Sequence, residues 1–598
     1  MNNNIFNKWS RMAFIASGLI LASCSQDFLD TTPTDQVASS VIWTSKNLAE
    51  RVVNGIYEHM TYEYRDNPWL TCNMTDAFTE IEDEDMNWVN GNAPLLMGSS
   101  TASSGIYSDM WRKMYETIYR CNDVIDHIDQ VPDMTDQEKE KAKGEALIAR
   151  GWHYYRLNVL YRGVPIYEHV YDNTNCTKAR STADEVWKQI IDDCTNAINN
   201  PSLPDKNATN DANWGRITKG AAYFLRGQVY LWQKEWAKAE TDFKKLGSIG
   251  YKLFNNYGPL FTVENEKNDE YILQYQYTED ESCGNFFSWT YGNRNSKGYS
   301  WNNYIPNPYF VDSYQKADGS KFNIDDVLPG YTKMKPGARV VFYLRNGLTD
   351  EEIKAFQKKY EADGIDMSKY LPDGNEERLA KVYNDRDPRM AQNFILPYSH
   401  YIGGCTGKDI KYTLRWPYRG SDGAEPYDLR TDTNDRFYYL WRKFVWVGAS
   451  LKDQGRSPID IPVFRYAEAL LGLAEALNEQ GKTDEAVNVL NQVRNRAGVA
   501  PLTMTAGKPT SVTGTDNLRT RIQDEYGWEL AGENRMFWHE LRWGIWKDKK
   551  FNKGNGMTEI WGTKRYTNTF QGDYSILWPI PQKELEMNAN LKQNPGWY

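Results

Sequence analysis

The sequence lacks the motifs from which most catalytic and metal-binding sites are recognised. Its 598 residues include only six histidines and seven cysteines. No H-E-x-x-H, G-x-S-x-G or P-loop pattern occurs, and His539-Glu540 has no second histidine at the required spacing. These absences argue against H-E-x-x-H metalloproteases, G-x-S-x-G hydrolases and P-loop enzymes. They do not exclude a glycosidase, which needs only two carboxylates about 5–10 Å apart.

Long blocks of basic residues are also missing. The net charge is −10 and the pI is about 5.4. Proteins that bind nucleic acid carry basic patches, so this balance argues against a nucleic-acid partner. The remaining cysteines after Cys24 lie far apart and form no C-x-x-C pair, and we expect mostly buried thiols rather than a disulfide framework. They are Cys72, Cys121, Cys176, Cys194, Cys283 and Cys405.

Beyond the N-terminus no apolar run approaches the roughly 20 residues of a transmembrane helix. The mean hydropathy is −0.72. The apolar run at residues 12–22 follows Lys8 and Arg11 and has the length of a signal-peptide core. The alternative is a buried N-terminal strand.

The residues that follow this run form a lipobox, Leu21-Ala22-Ser23-Cys24. We therefore predict a lipoprotein signal peptide over residues 1–23 and acylation of Cys24. Residues 24–40, rich in Thr, Asp and Ser, are predicted to form a lipidated tether. Acylation would attach the protein to a membrane without a spanning helix.

Aromatic residues are abundant, at 14% of the chain with 22 Trp and 40 Tyr. Trp and Tyr combine a flat apolar ring with a polar edge. In a hydrophilic, acidic protein this excess favours a surface on which a ligand with apolar faces and hydroxyl edges can stack. Sugars have this chemistry.

Two segments, residues 221–246 and 465–498, have the residue pattern of tetratricopeptide-like helical hairpins. The interval from Gly227 to Ala239 equals that from Ala474 to Ala486. The alternative is that any closely packed helix pair needs small residues at its crossing. Apolar spacing predicts further helices over residues 136–160 and 183–198, the second with Ser181 as its N-cap.

Residues 250–457 differ in composition, being rich in Gly, Pro, Asn and Tyr. Short apolar runs predict strands at residues 270–277 and 339–344, with further strands near 408–415 and 437–447. We expect loops and small sheets here, carried on a helical scaffold.

A series of segments in order along the chain resembles the SusD/RagB family of outer-membrane nutrient-binding lipoproteins. They are residues 24–33 (CSQDFLDTTP), 111–122 (WRKMYETIYRCN), 144–165, 215–236, 268–277 (NDEYILQYQY), 384–390 (NDRDPRM), 465–498, 528–544 (WELAGENRMFWHELRWG) and 577–596. No single segment is decisive, but together they are distributed in order over almost the whole chain after Cys24.

The resemblance implies a mostly α fold, with tetratricopeptide-like hairpins as scaffold and a loop-rich half carrying small sheets. It implies one globular unit, with an N-terminal SusD-like helical region over residues 41–255 and a C-terminal SusD/RagB region over residues 256–598. Family members bind an oligosaccharide, or in some cases peptides, and deliver it to a SusC-like TonB-dependent transporter. By analogy, Asp27 and Asp30 after the lipidated cysteine favour the outer face of the outer membrane. The alternatives are a surface glycoside hydrolase and a peptide-capturing, RagB-like protein.

The resemblance does not assign ligand residues, so we place them by chemistry. Candidates lie in aromatic, irregular stretches where Asp and Asn can bind hydroxyl groups. They are Trp69, Asp76, Trp88 and Asn90 in one stretch, Trp289, Tyr291, Tyr299 and Trp301 in a second, and Trp416 in a third. For each aromatic residue, packing in the core is the alternative.

Two charged segments are predicted to be structural. The acidic run at residues 80–85 is expected to be a solvated face or a transporter contact, with Ca²⁺ binding as the alternative. The charged residues of 529–542 are expected to form ion pairs along a helix, and Arg386 and Arg389 to fix a turn around Asp387. We predict no cofactor, no catalytic residue and no metal site.

Overall fold

The computed structural model describes residues 42–61, 64–65, 74–84, 93–172, 174–280, 283–431 and 436–598. The predicted signal peptide, Cys24 and the tether lie outside these residues. In chain order the helices are α1 (Lys46–Thr61), α2 (Ala93–Leu96), α3 (Gly105–His127), α4 (Asp136–Tyr161), α5 (Ala183–Asn199), α6 (Lys219–Trp232), α7 (Trp236–Ser248), α8 (Phe287–Thr290), α9 (Pro308–Ser313), α10 (Asp350–Lys359), α11 (Asn375–Ala380), α12 (Pro388–Asn393), α13 (Tyr466–Glu479), α14 (Thr483–Ala497), α15 (Thr515–Leu530), α16 (Met536–Trp543) and α17 (Gln582–Met587).

The strands are short and form antiparallel pairs. They are β1 (Glu82–Glu84), β2 (Tyr271–Tyr275), β3 (Tyr304–Pro306), β4 (Phe394–Ile395), β5 (His400–Gly403), β6 (Ile410–Thr413), β7 (Leu440–Trp441) and β8 (Ile461–Arg465). In the described part of the chain β1 pairs with β3, β2 with β8, β4 with β7 and β5 with β6. The mostly α fold with small sheets is confirmed.

Both predicted helical hairpins are present, as α6–α7 and α13–α14, and they pack against each other through α7 and α13. Glycine makes this close packing possible. A Cβ atom at Gly227 would lie 2.7 Å from the ring of Phe243, and one at Gly472 would lie 2.8 Å from the same ring. Phe243 therefore fills a space that any larger residue at either glycine would close.

Buried side chains of the N-terminal and C-terminal regions form one contiguous core, which extends from Trp43 to Trp597. The pair β2–β8 joins the start of the loop-rich part to the start of the second hairpin. Trp578, near the C-terminus, is fully buried and packs edge-on against Tyr107 of α3. None of the described helices is both long enough and apolar enough to cross a membrane.

Two local predictions are wrong. The N-cap of α5 is Thr182 rather than Ser181: its hydroxyl accepts a hydrogen bond from the Glu185 N–H at 3.2 Å, and the Glu185 carboxylate accepts from the Thr182 N–H at 2.7 Å. This reciprocal capping box satisfies two N–H groups at once, which Ser181 cannot do from one residue earlier. The predicted strand at 339–344 is a 3-10 helix, Pro336–Phe342, started by a proline.

The charged C-terminal residues pair between elements rather than along one helix. Glu529 of α15 contacts Arg389 of α12, Arg465 of β8 and Arg496 of α14. Glu533 contacts Lys443 and Arg465, both at 2.6–2.7 Å. The prediction that these charges have a structural role is confirmed. Arg389 fixes the turn around Asp387 through an ion pair with its carboxylate at 2.7 Å. The prediction that these residues pair along one helix is wrong, because their partners of opposite charge lie on elements that are distant in sequence.

The cysteine prediction holds in part. The described cysteines after Cys24 are all free thiols. Cys121 and Cys194 are buried, as expected, whereas Cys176, Cys283 and Cys405 are partly exposed. These three lie in loops, where no helix interface covers them. Cys72 lies outside the described residues.

Candidate ligand-binding face

Among the predicted site residues that the structure describes, the most exposed lie on one closed loop, residues 287–306, which we call the rim loop. Backbone hydrogen bonds close it: Trp301 N–H donates to the Trp289 carbonyl at 3.0 Å, and Asn303 N–H donates to the Thr290 carbonyl at 2.7 Å. The far end of the loop is β3, which pairs with β1. Side chains on such a tied loop are held in place before any ligand arrives.

Trp289, Tyr299 and Trp301 are the rim aromatics. Tyr299 is 41% exposed, and the two tryptophans are partly exposed. Tyr299 has a φ of 61°, in the left-handed region that costs a non-glycine residue about 1–2 kcal/mol. Because strained residues persist only where the surrounding structure holds them, and cluster at ligand sites, this conformation supports a binding role for the loop.

Polar groups flank the rim aromatics. The Arg294 guanidinium lies 4.6 Å from the centre of the Trp301 ring and donates to the Tyr299 carbonyl at 3.3 Å. Burial, followed by the nearby Cys405 and Asp422, raises the pKa of the Tyr299 hydroxyl. That hydroxyl therefore stays protonated at neutral pH and can donate a hydrogen bond.

The rim loop is joined to a second polar segment. The Asn295 side-chain oxygen accepts from Arg430 N–H at 2.5 Å, and the Asn295 carbonyl accepts from Gly404 N–H at 3.0 Å. The Asp422 carboxylate accepts from Arg430 at 3.1 Å. Flat rings bordered by a guanidinium and a carboxylate can cover a sugar face and hold its hydroxyl groups. Our choice of candidates missed Arg294 and Asp422, because it favoured aromatic residues over the charged ones beside them.

Three predicted site residues are corrected, because they are buried. Tyr291 is fully buried and stacks on Trp441, with ring centres 4.9 Å apart. Trp416 is 4% exposed and packs between Phe437 and Trp561. Neither ring has a free face for a ligand.

Asp76 is also fully buried, and it holds the turn after α15 together. Its carboxylate accepts from the N–H groups of Gly532, Asn534 and Met536 at 2.9–3.3 Å. Burial raises its pKa to about 7, although these donors act in the opposite direction. Trp69, Trp88 and Asn90 lie outside the described residues, and their assignment stays a prediction.

The acidic run at residues 80–85 is buried where its side chains are described, so the prediction of a solvated face is wrong there. Glu80 pairs with Lys549 at 2.7 Å, and Asp83 pairs with Lys550 at 2.8 Å. Both lysines belong to the π-helical turn Lys547–Lys553. Glu82 is fully buried and accepts from the Tyr291 hydroxyl at 3.3 Å. In the described part of the chain, no three His, Cys, Asp or Glu side chains are grouped to hold a metal ion.

Glu82 makes a pH dependence testable. Burial, followed by the neighbouring Asp76, raises its pKa well above the usual value. The native state therefore favours the protonated form, and the stability it contributes falls as the pH rises above the ordinary Glu value of about 4.3. We expect Glu82→Gln to match the wild type near pH 4 and to melt at a higher temperature at pH 8. The exposed Glu235→Gln serves as control in the same melting series, and an identical pH profile for both variants would contradict the assignment.

Comparison with known proteins shows the family of this chain. The sequence model of the "SusD family" matches residues 268–597, which is more than half of the chain. The chain belongs to the SusD family. A second model, described as "Starch-binding associating with outer membrane", matches residues 27–231 of this SusD-family protein. The resemblance drawn from the sequence is therefore confirmed.

Relatives of this SusD-family protein span most of its length. The starch-binding protein SusD of Bacteroides thetaiotaomicron is 25% identical over 487 residues, covering 79% of this chain and 75% of the relative. The SusD-like protein P25 of Formosa agariphila is 22% identical over 585 residues, covering 96% of this chain and 95% of the relative.

Solved structures share the fold. A SusD-like protein from Bacteroides fragilis superposes with a TM-score of 0.71 at 21% identity, over 95% of this chain and all of that one. A laminarin-binding SusD-like protein superposes with a TM-score of 0.62 at 19% identity, over 93% of this chain and all of that one. At these identities the likeness shows the fold alone.

Proposed function

We propose that this protein is a non-catalytic lipoprotein that binds an oligosaccharide or polysaccharide through its rim aromatics. It then delivers the glycan to a SusC-like TonB-dependent outer-membrane transporter. The observation that carries the proposal is that Tyr299 is exposed, and Trp289 and Trp301 partly exposed, on one loop closed by backbone hydrogen bonds. Rings held in this way can stack on a pyranose without first being ordered.

The names of the relatives support a glycan as the ligand class. One is a starch-binding protein, one binds laminarin, and others are called surface glycan-binding proteins. We further propose attachment to the outer membrane through acylated Cys24, with the globular part facing the exterior and no metal or cofactor required. A peptide ligand is less well matched, because the rim loop offers ring faces rather than an open strand edge or a helix groove.

The polysaccharide is identified by electrophoresis in gels cast with a panel of soluble glycans that includes starch and laminarin. We expect retardation in at least one gel, with dissociation constants in the range of about μM to mM, because the glycan must be released to the transporter. A protein that migrates unretarded through the whole panel, and also through gels with host and microbial glycans, would count against glycan binding.

A glycoside hydrolase is the second candidate, and a reducing-end assay separates it from a binding protein. Glu82, Asp460 and Glu540, whose pKa values are raised well above the usual range, are buried and cannot reach a surface glycan. Glu266, whose pKa is raised to about 7, is partly exposed but lies outside the rim loop. We therefore expect no new reducing ends after prolonged incubation with the retarding polysaccharide, compared with heat-denatured protein. A steady increase in reducing ends would overturn the non-catalytic assignment.

A further inference from the structure

A recess lies apart from the rim loop, and we call it the N-terminal groove. It has a volume of about 880 Å³ and lies between α1, α3, the segment 165–177 and α17. Its lining includes no residue of the rim loop. Its aromatic wall consists of Trp111, Tyr115, Tyr119, Tyr167 and Tyr171.

The groove is apolar and open to solvent. Tyr119 is 38% exposed and packs edge-on against Tyr171, with ring centres 5.3 Å apart. Met587, on the opposite wall, is 58% exposed. Trp111, Tyr115 and Tyr167 are buried, so the strongly exposed apolar side chains of the groove are those of Tyr119 and Met587. Exposed large apolar side chains that line a recess mark a surface that another group can cover.

The place where the described chain begins indicates which segment occupies the groove. Ile42, the first described residue, itself lines the groove. The residues that lead to it include Phe28, Leu29, Pro33, Val37 and Val41. The fourteen residues 28–41 reach at most roughly 46–50 Å when extended, which is ample to run along a recess of this size.

The groove also offers ion-pair partners to the same occupant. Residues 24–41 contain three aspartates, Asp27, Asp30 and Asp35, and no lysine or arginine. The charged residues of the lining are of both signs: Arg51, Arg112, Arg120, Glu116, Asp123, Asp172 and Glu584. Arg112 pairs with Glu116, whereas Arg51 and Arg120 are exposed and can pair with an aspartate of the segment.

The second family match gives an independent reason to place this segment in the groove. It begins at residue 27, which is fifteen residues before Ile42. A linker that serves only as a spacer needs no particular sequence. Family-type sequence so close to Cys24 indicates that the segment makes specific contacts.

From these observations we propose that residues 27–41 dock into the N-terminal groove, with Phe28 and Leu29 against its aromatic wall. This goes beyond the proposed function and does not depend on the ligand. With the segment docked, only Ser25 and Gln26 lie between the body and the acylated Cys24, a reach of about 10 Å instead of roughly 60 Å. The lipid anchor then holds the protein close to the membrane, rather than letting it move freely on a long tether.

Disulfide trapping tests the docking, because Cys176 lines the groove and is partly exposed. Residues 24–598 are produced with Cys24→Ser and one added cysteine, in turn Asp30→Cys, Pro33→Cys and Val37→Cys. We expect at least one of them to form a disulfide with Cys176 under mild oxidation, since that bond needs Cα atoms about 4.4–6.8 Å apart. Cys176→Ser is the control for specificity, and exposed Asp516→Cys gives the background rate. Cross-linking at or below that rate for all three variants would refute the docking.

Hydrogen exchange in the same soluble chain gives a second readout. Amides of residues 28–41 should exchange at least about tenfold more slowly than in a free peptide of that sequence. Gly55→Phe should remove this protection, because a side chain at Gly55 enters open groove space, with Arg120 the nearest group at 3.8 Å. The exposed Gly105→Phe on α3, outside the groove lining, is the matched control and should leave it unchanged.

The lipidated protein in detergent distinguishes the segment from the acyl chains as occupant. Equal protection with and without lipid supports the segment itself. Protection that appears only in the lipidated protein would assign the groove to the acyl chains and overturn the proposal, as would rapid exchange in both forms. Glycan retardation is measured in parallel, so failure of the docking and failure of the glycan function are told apart.

Discussion

Replacing both Tyr299 and Trp301 by alanine is expected to weaken binding of the retarding glycan by at least about 30-fold, as for aromatic anchors whose truncation costs about 2 kcal/mol or more. Tyr299 loses an exposed ring, and loss of Trp301 also removes the ring that Arg294 stacks on. Single changes, including Trp289→Ala, should each weaken binding less. The measurement is affinity electrophoresis, with titration calorimetry on a defined oligosaccharide.

The control for this prediction is Tyr309→Ala. Tyr309 is 46% exposed, slightly more than Tyr299, but lies on α9 outside the rim loop. We expect it to bind glycan like the wild type. The melting temperature of each variant is measured, so that a loss of affinity is not confused with unfolding. Equal affinity of the double variant, the control and the wild type would remove the rim aromatics from the site.

Glu529→Gln is expected to destabilise the fold by about 3–5 kcal/mol, the range found when one partner of a buried ion pair is removed. Glu529 is fully buried and contacts Arg389, Arg465 and Arg496. Glutamine has nearly the same shape as glutamate, but it removes the negative charge that balances these three guanidinium groups. Chemical denaturation followed by circular dichroism measures the loss.

The comparison variant is Asp192→Asn on α5. Asp192 and its partner Lys188 have side chains that are 48% and 75% exposed, and such surface pairs contribute at most about 1 kcal/mol. If both variants lost the same stability, burial of the network would not explain its importance.

Glu529 also makes the stability of the fold sensitive to acid. Burial alone would raise the pKa of Glu529, but Arg496, Arg465 and Arg389 lower it to about 2. The stability it contributes is therefore present above the ordinary Glu value of about 4.3 and is lost as the pH falls towards 2. Glu529→Gln should show a flatter loss of stability over that interval.

Helices and hairpins were predictable because their signals are local. The predicted helix over residues 136–160 is Asp136–Tyr161, and that over 183–198 is Ala183–Asn199. Each is capped by a threonine, with a glutamate three residues after the cap. The second helix has one apolar face, whereas the first is buried on all sides from Ile148 to Tyr161. The short strands were less predictable: residues 339–344 look like a strand by composition, but the proline at 336 starts a 3-10 helix.

The candidate ligand-binding face was only partly predictable, because the exposure of a side chain depends on partners that are distant in sequence. Tyr291 and Tyr299 are eight residues apart in the same aromatic stretch. Tyr291 is covered by Trp441, whereas Tyr299 is held outwards by a left-handed backbone. The sequence predicts a solvated face for the acidic run at residues 80–85. In the structure Lys549 and Lys550, more than 460 residues further along the chain, form ion pairs with it.

From the sequence alone come the lipobox, the acidic charge, the two matched hairpins and the ordered segments that place the chain in its family, since each depends on neighbouring residues or on composition. Only the tertiary structure decided which aromatic rings face solvent, which carboxylates are neutralised in the interior and where an open groove meets the start of the described chain. Periodicity reports what a segment prefers on its own. Burial is decided by the elements that pack over it, and those come from anywhere along the chain.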